Sequence, residues 1–88
     1  MAHLLLEKRL IACANILGSI ASVYSWEGEI VEGKEVAVLF KTIPSKVSEA
    51  MGFIQTNHSY DIPAILELPV GEVSSSFQEW VIHSLMNS

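Results

Sequence analysis

The sequence has a single cysteine, few charged residues and no long apolar run. Cys13 is the one cysteine among 88 residues, so no disulfide can form within the chain. Charged residues make up 17% of the sequence, with 5 Lys and Arg against 10 Asp and Glu. A net charge of −5 provides few cations for phosphate neutralisation, which argues against nucleic acid and membranes as partners. No apolar stretch approaches the roughly 20 residues needed to cross a bilayer.

The first ten residues do not have the order of a secretory signal. The apolar run Leu4–Leu6 is followed at once by the charged residues Glu7–Arg9. A signal peptide instead places its basic residues before the apolar segment. We therefore expect a cytoplasmic protein in which Cys13 stays reduced.

Half of the residues are apolar, although a chain of this length forms only one small domain, residues 1–88. Such a domain usually needs a disulfide, a structural metal or a partner subunit for stability. The lone cysteine excludes the first, and no histidine and carboxylate partners lie at the ligand spacing of a closed zinc site. Oligomerisation remains, and surplus apolar surface on a small domain is typical of an interface.

Hydrophobic periodicity in the first part of the chain predicts a helix and then a strand. Leu6 and Leu10 recur at helical spacing, which indicates the last turns of a helix. The apolar segment Ile11–Leu17 follows without room for a long loop, and Gly18 interrupts it. We predict a buried strand with a bulge or bend at Gly18.

Residues 22–42 predict a long β-hairpin. Residues 22–30 are rich in β-branched and aromatic residues and alternate, which places three large side chains on one face: Tyr24, Trp26 and Ile30. Glu32-Gly33 is expected to form the turn. Residues 35–42 then return as a strand buried on both faces.

The second half predicts a helix, a short strand and a final helix. Ser45 is a plausible N-cap for a helix that ends near Asn57-His58 and has four apolar residues on one face: Val47, Ala50, Met51 and Ile54. Ile62–Leu68 is expected to form a short strand. Ser76 and Glu79 have capping-box spacing and open a helix with a second apolar face: Phe77, Trp80, Val81 and Leu85.

The predicted order is helix, strand, strand, helix, strand, helix. This is an α+β fold with an antiparallel sheet, and it matches the ferredoxin-like βαββαβ pattern without its first strand and with an extra C-terminal helix. The ferredoxin-like sheet places its first strand between the third and the fourth. Without that strand, we expect a gap in the sheet with unpaired backbone groups.

Three segments carry a family resemblance. Leu5–Ile16, Ser22–Ile30 and Asn57–Pro63 closely resemble the signature segments of the CutA family in order and separation, and Trp80 falls where that family has a tryptophan. The resemblance implies a ferredoxin-like fold in a tight homotrimer, with hairpin strands pairing between subunits. The expected interface residues are Tyr24, Trp26, Tyr60 and Trp80. For Tyr24 and Trp26 the alternative is core packing within one subunit.

The resemblance also implies a role in tolerance of divalent metal ions, copper in particular. The family's proposed copper ligands are a cysteine on its first strand and two adjacent histidines after its second helix. Here the histidine pair is Asn57-His58, which leaves His58 as the matching ligand. A structural role for His58 at the helix C-terminus is the alternative. The chain also has Ser59 where the family usually has proline, and Ala64 where it commonly has glutamate.

Two hypotheses of function follow, and neither is enzymatic. The sequence has no nucleophile elbow, phosphate-binding glycine loop or metalloprotease helix, so we expect no catalysis. The first hypothesis is a metal-responsive, copper-binding trimer. The second is a ligand-sensing or scaffolding trimer resembling the PII signalling proteins, which carry a long mobile loop. The tight turn expected at Glu32-Gly33 favours the first.

Overall fold

The computed structural model describes residues 1–59 and 63–86. These residues form five elements: α1 (Ala2–Glu7), β1 (Cys13–Trp26), β2 (Glu29–Lys41), α2 (Pro44–Asn57) and α3 (Ser75–Met86). The two strands form one antiparallel ladder along their whole length. The predicted α+β class, antiparallel pairing and long hairpin are therefore confirmed.

The hairpin turns at Glu27-Gly28, so the turn predicted at Glu32-Gly33 is wrong. Trp26 pairs with Glu29, and the two residues between them have φ values of 51° and 83°. Positive φ at both positions is the type I′ geometry that suits the twist of a two-residue hairpin. The chain has a Glu-Gly pair at both places, and local sequence does not distinguish them. Only the first position lets both strands pair over their full lengths.

The predicted bulge at Gly18 is confirmed. The register shifts between Ile16 and Gly18, so that Leu17 has no partner on β2, and Gly18 has a φ of 90° that other residues rarely adopt. Since side chains alternate along a strand, one extra residue moves every later side chain of β1 to the other face. The bulge therefore decides which face Tyr24 and Trp26 occupy.

The two faces of the hairpin have different surroundings. We call the helix face the one that carries Ala14 and Phe40, which pair with each other and pack against the buried residues of α1 and α2. The opposite face, the open face, carries four large apolar residues in the pairing register: Ile20, Tyr24, Trp26 and Leu39. Ile30 pairs with Ser25 and lies on the helix face, so its predicted place beside Tyr24 and Trp26 is wrong because the turn separates them.

The described core is small and lies at the end of the hairpin remote from the turn. One cluster comprises Leu5, Leu10, Ile11, Ala50 and Ile54, and the other comprises Ala12, Val81 and Leu85. The strands predicted as buried over 11–17 and 35–42 are largely uncovered in the single chain, because only Ile11 and Ala12 of those two ranges are buried. The helices cover only this end of the hairpin.

The predictions for α2 and α3 hold in part. On the predicted apolar face of α3, Val81 and Leu85 are buried, whereas Phe77 and Trp80 are exposed. The first helix ends at Glu7, so its predicted extension to Leu10 is wrong.

The predicted inner face of α2 is confirmed, since Ala50 and Ile54 are buried. Its N-cap is Ile43 instead of Ser45, with Pro44 at the first helical position, where its missing N–H is no loss. α3 begins at Ser75, so Ser76 lies inside the first turn and is not the cap. No helix among the described residues is long and apolar enough to cross a membrane.

The strand predicted over Ile62–Leu68 is absent from its described part, since residues 63–70 have no strand assignment and Ile62 lies outside the described residues. A strand needs a neighbouring edge to supply its hydrogen bonds. In the ferredoxin-like order that neighbour is the first strand, which has no counterpart among the described residues. The described part of this segment therefore has no strand assignment, although Ile65 packs against the core.

Candidate functional site

The open face carries large apolar side chains that are exposed in the single chain. Tyr24 is 45% exposed and Trp26 is 52% exposed. The Tyr24 ring lies across Gly33 of β2, because a Cβ built on that glycine would be 3.6 Å from the Tyr24 Oη. Core packing within one subunit, the alternative for these two residues, is therefore not what the single chain shows.

The structure does not bring Trp80 to the same place as Trp26. Trp80 stacks on Phe77 with ring centroids 5.9 Å apart, and the Lys41 Nζ lies 5.4 Å from the Phe77 centroid. Lys41 ends β2, whereas Trp26 stands next to the turn, so a strand of about 40 Å separates the two aromatic sites. Trp80 is 49% exposed on α3. Tyr60 lies outside the described residues.

His58 follows α2 directly and lies in an open cleft. It is the C-cap residue, with extended φ and ψ of −82° and 147°, and its side chain is half-buried. The preceding Asn57 donates from Nδ2 to the Phe53 carbonyl oxygen at 2.8 Å, and so satisfies one of the last carbonyls of the helix. A side-chain cap at this helix end is therefore supplied by Asn57.

The cleft lies over the middle of the hairpin and has a volume of about 340 Å³. Its lining comes from three stretches of chain: Ser19; Lys34, Glu35 and Val36; and His58, Ser59 and Ala64. The pairing register places Ser19, Lys34 and Val36 on the helix face. Neither Ser19 nor Lys34 was predicted from the sequence to line a site. The bulge at Gly18 is the signal that could have placed Ser19 on this face.

The potential metal donors are not assembled in the single chain. Within residues 1–59 and 63–86, no group of three His, Cys, Asp or Glu side chains could hold an ion. Cys13 starts β1 and pairs with Lys41, whereas Ser19 lines the cleft six residues further on, a separation of about 20 Å along the strand. Cys13 and His58 are therefore far apart. His3 and His83 are exposed on α1 and α3.

Comparison with known proteins gives a family match. Residues 1–84 match the family model described as CutA1 divalent ion tolerance protein. The divalent-cation tolerance protein CutA of Thermotoga maritima is 44% identical over 82 residues, which cover 93% of this chain and 80% of that protein. The protein CutA homolog of Danio rerio is 35% identical over 88 residues, and the chain spans only 59% of its length.

A solved structure supports the same fold. The crystal structure of the divalent ion tolerance protein CutA1 from Ehrlichia chaffeensis superposes with a TM-score of 0.92 at 41% identity. The match covers 98% of this chain and 80% of the Ehrlichia chain. Because both the sequence and the backbone match over nearly the whole chain, the long hairpin and the positions of the helices are features common to these proteins.

Proposed function

The chain belongs to the CutA1 family of divalent ion tolerance proteins, and from this premise we propose that it acts in divalent-cation tolerance as a homotrimer. Each subunit would contribute a ferredoxin-like fold whose sheet is completed by neighbouring copies. The protein would act by binding, without catalysis, in the cytoplasm.

The observation that carries the trimer is the uncovered open face. Its large side chains, Ile20, Tyr24, Trp26 and Leu39, are all exposed in the single chain. Tyr and Trp are enriched at protein interfaces because they combine a large apolar ring with a polar atom. Burial of this face against other copies would remove the exposed apolar surface and add to a core that is confined to one end of the hairpin.

The backbone of the hairpin supports the same assembly. The described sheet has two strands only, so each strand has one edge with unpaired N–H and C=O groups. Pairing of these edges with strands or extended segments of neighbouring copies would satisfy those groups. This is the arrangement that the resemblance to the CutA family implies.

Sedimentation mass tests the trimer. We expect a mass three times 9.7 kDa, and we expect Trp26→Ser to lower it because the substitution removes a large apolar side chain from the open face. Met86→Ser is the matched control, since Met86 is exposed at the end of α3, away from the hairpin. A single-subunit mass for the unmodified protein would contradict the proposal.

For the metal, we propose copper as the ion and His58 as one ligand in each subunit. One imidazole does not hold a transition metal, so the remaining donors would come from other copies in the trimer. Copper titration of His58→Ala tests the assignment, with His83→Ala as control because His83 is exposed on α3. Unchanged copper affinity in His58→Ala would remove this residue from the site.

The PII-like alternative depends on a long mobile loop for contact with partners. The two strands are joined by only two residues, Glu27-Gly28. The turn is tight although it lies at a different place from the one expected. A metal-responsive trimer is therefore the better-supported function.

A further inference from the structure

The cleft beside His58 has a chemistry that the metal hypothesis does not use. Its floor is the helix face of the hairpin, where Ser19 pairs with Val36 and Ala21 pairs with Lys34. Its opposite wall is formed by His58, Ser59 and Ala64. The floor and the wall come from parts of the chain far apart in sequence, so the cleft exists only in the folded protein.

Two charged residues, Lys34 and Glu35, are among the described residues that line the cleft. Lys34 forms no hydrogen bond or ion pair within the described part of the chain. Glu35 also borders the cleft, but it pairs with Ile20 on the open face of the ladder, so its side chain is directed to the other side of the sheet. The ammonium of Lys34 is therefore the one charged side chain on this face of the sheet among the described lining residues.

Hydrogen-bond donors surround this charge. Ser19 and Ser59 carry hydroxyl groups on the two sides of the cleft. A lysine ammonium with neighbouring hydroxyl donors suits an oxygen anion, because each donor can point at a different oxygen of the same group. The Ala64 methyl group contributes no competing negative charge.

We propose that this cleft binds a small organic oxyanion through its phosphate or carboxylate group. Its volume of about 340 Å³ lies at the lower end of the range for small-molecule sites, about 300–1,000 Å³. Lys34 binds the anionic group as a point charge, Ser19 and Ser59 donate hydrogen bonds to it, and His58 lies beside it. The ligand differs in charge from the metal of the proposed function, so anion binding can be tested in the absence of metal although His58 belongs to both proposals.

Proton NMR of the three histidines tests the site in metal-depleted protein. Inorganic phosphate and succinate are titrated separately at constant pH and ionic strength, and the ring protons of His3, His58 and His83 are followed. We expect a saturable shift for His58 alone, because the other two histidines are exposed outside the cleft. The stronger response identifies phosphate or carboxylate as the preferred group.

Two charge variants complete the test. Lys34→Gln is expected to weaken binding about tenfold, the usual effect of losing a hydrogen bond to a charged group. Lys46→Gln is the control, since it removes the same charge from α2, outside the cleft, and it should leave the affinity unchanged. Absence of a saturable His58 shift with both anions, or equal weakening in the two variants, would overturn the proposal. Because these titrations contain no metal, neither result decides whether His58 binds copper.

Discussion

Individual side chains of the described core illustrate how few contacts stabilise the subunit. Leu5 is fully buried between α1 and α2, although α1 has only six residues and both neighbours of Leu5 are exposed. Thr42 donates from Oγ1 to the Leu10 carbonyl oxygen at 2.7 Å and fixes the loop after α1 to the end of β2. A helix this short is stable only through such tertiary contacts.

Leu5→Ala is expected to lower the free energy of unfolding by about 2–5 kcal/mol, the usual loss when a buried leucine is truncated. Leu4→Ala makes the same chemical change on the same helix at a side chain that is 47% exposed, and should change stability by less than about 1 kcal/mol. Urea denaturation of both variants measures the difference. Similar losses in the two variants would show that Leu5 does not anchor α1.

At the scale of elements, the hairpin determines which side chains lie on the open face and which lie on the helix face. The bulge at Leu17 moves the later side chains of β1 by one position, and the two-residue turn fixes the pairing of β2. Together they place Tyr24 and Trp26 on the open face and Ser19 and Lys34 on the helix face. Both the proposed interface and the proposed cleft follow from these two local irregularities.

Gly28→Ala is expected to destabilise the protein by about 1–2 kcal/mol, because its φ of 83° is unfavourable for a residue with a Cβ. Gly52→Ala is the matched control within α2. A Cβ there meets nothing within 4 Å, so alanine should stabilise the protein by up to about 1 kcal/mol through its higher helix propensity. Thermal melts at equal concentration would show opposite shifts. A shift of the same sign in both variants would contradict the turn geometry.

Local sequence patterns predicted which segments form helices and strands better than they predicted how the strands pair. The apolar spacing that ends in Ala50 and Ile54 gave the inner face of α2, and Gly18 gave the bulge, because both depend on neighbouring residues alone. The turn was misplaced because Glu27-Gly28 and Glu32-Gly33 are alike locally, and pairing along the whole ladder chooses between them. The strand predicted at Ile62–Leu68 failed because strand formation needs an edge that sequence periodicity does not reveal.

The candidate site was predicted even less completely for the same reason. His58 was identified from the family resemblance, whereas Lys34 and Ser19 reach the cleft through the strand register. No spacing in the sequence links positions 19, 34 and 58. Such a site becomes visible only when the pairing of the hairpin is known.

At the scale of the whole molecule, the single chain has more apolar surface than it can cover. Eight described hydrophobic residues are buried, and all lie at one end of a molecule that is 46 Å long. The remainder of the hairpin has helix cover on neither face. We therefore expect the subunit to depend on other copies for stability, so that folding is coupled to assembly.

The effect of protein concentration on thermal unfolding tests most directly whether the subunit needs other copies for stability. When a protein is stable only as an oligomer, its melting temperature rises with protein concentration, because association stabilises the folded state by mass action. Circular dichroism melts over a dilution series, with sedimentation mass measured in parallel, are expected to show a rising melting temperature and no folded species of 9.7 kDa. A folded single subunit that melts cooperatively, at a temperature independent of concentration, would contradict the account.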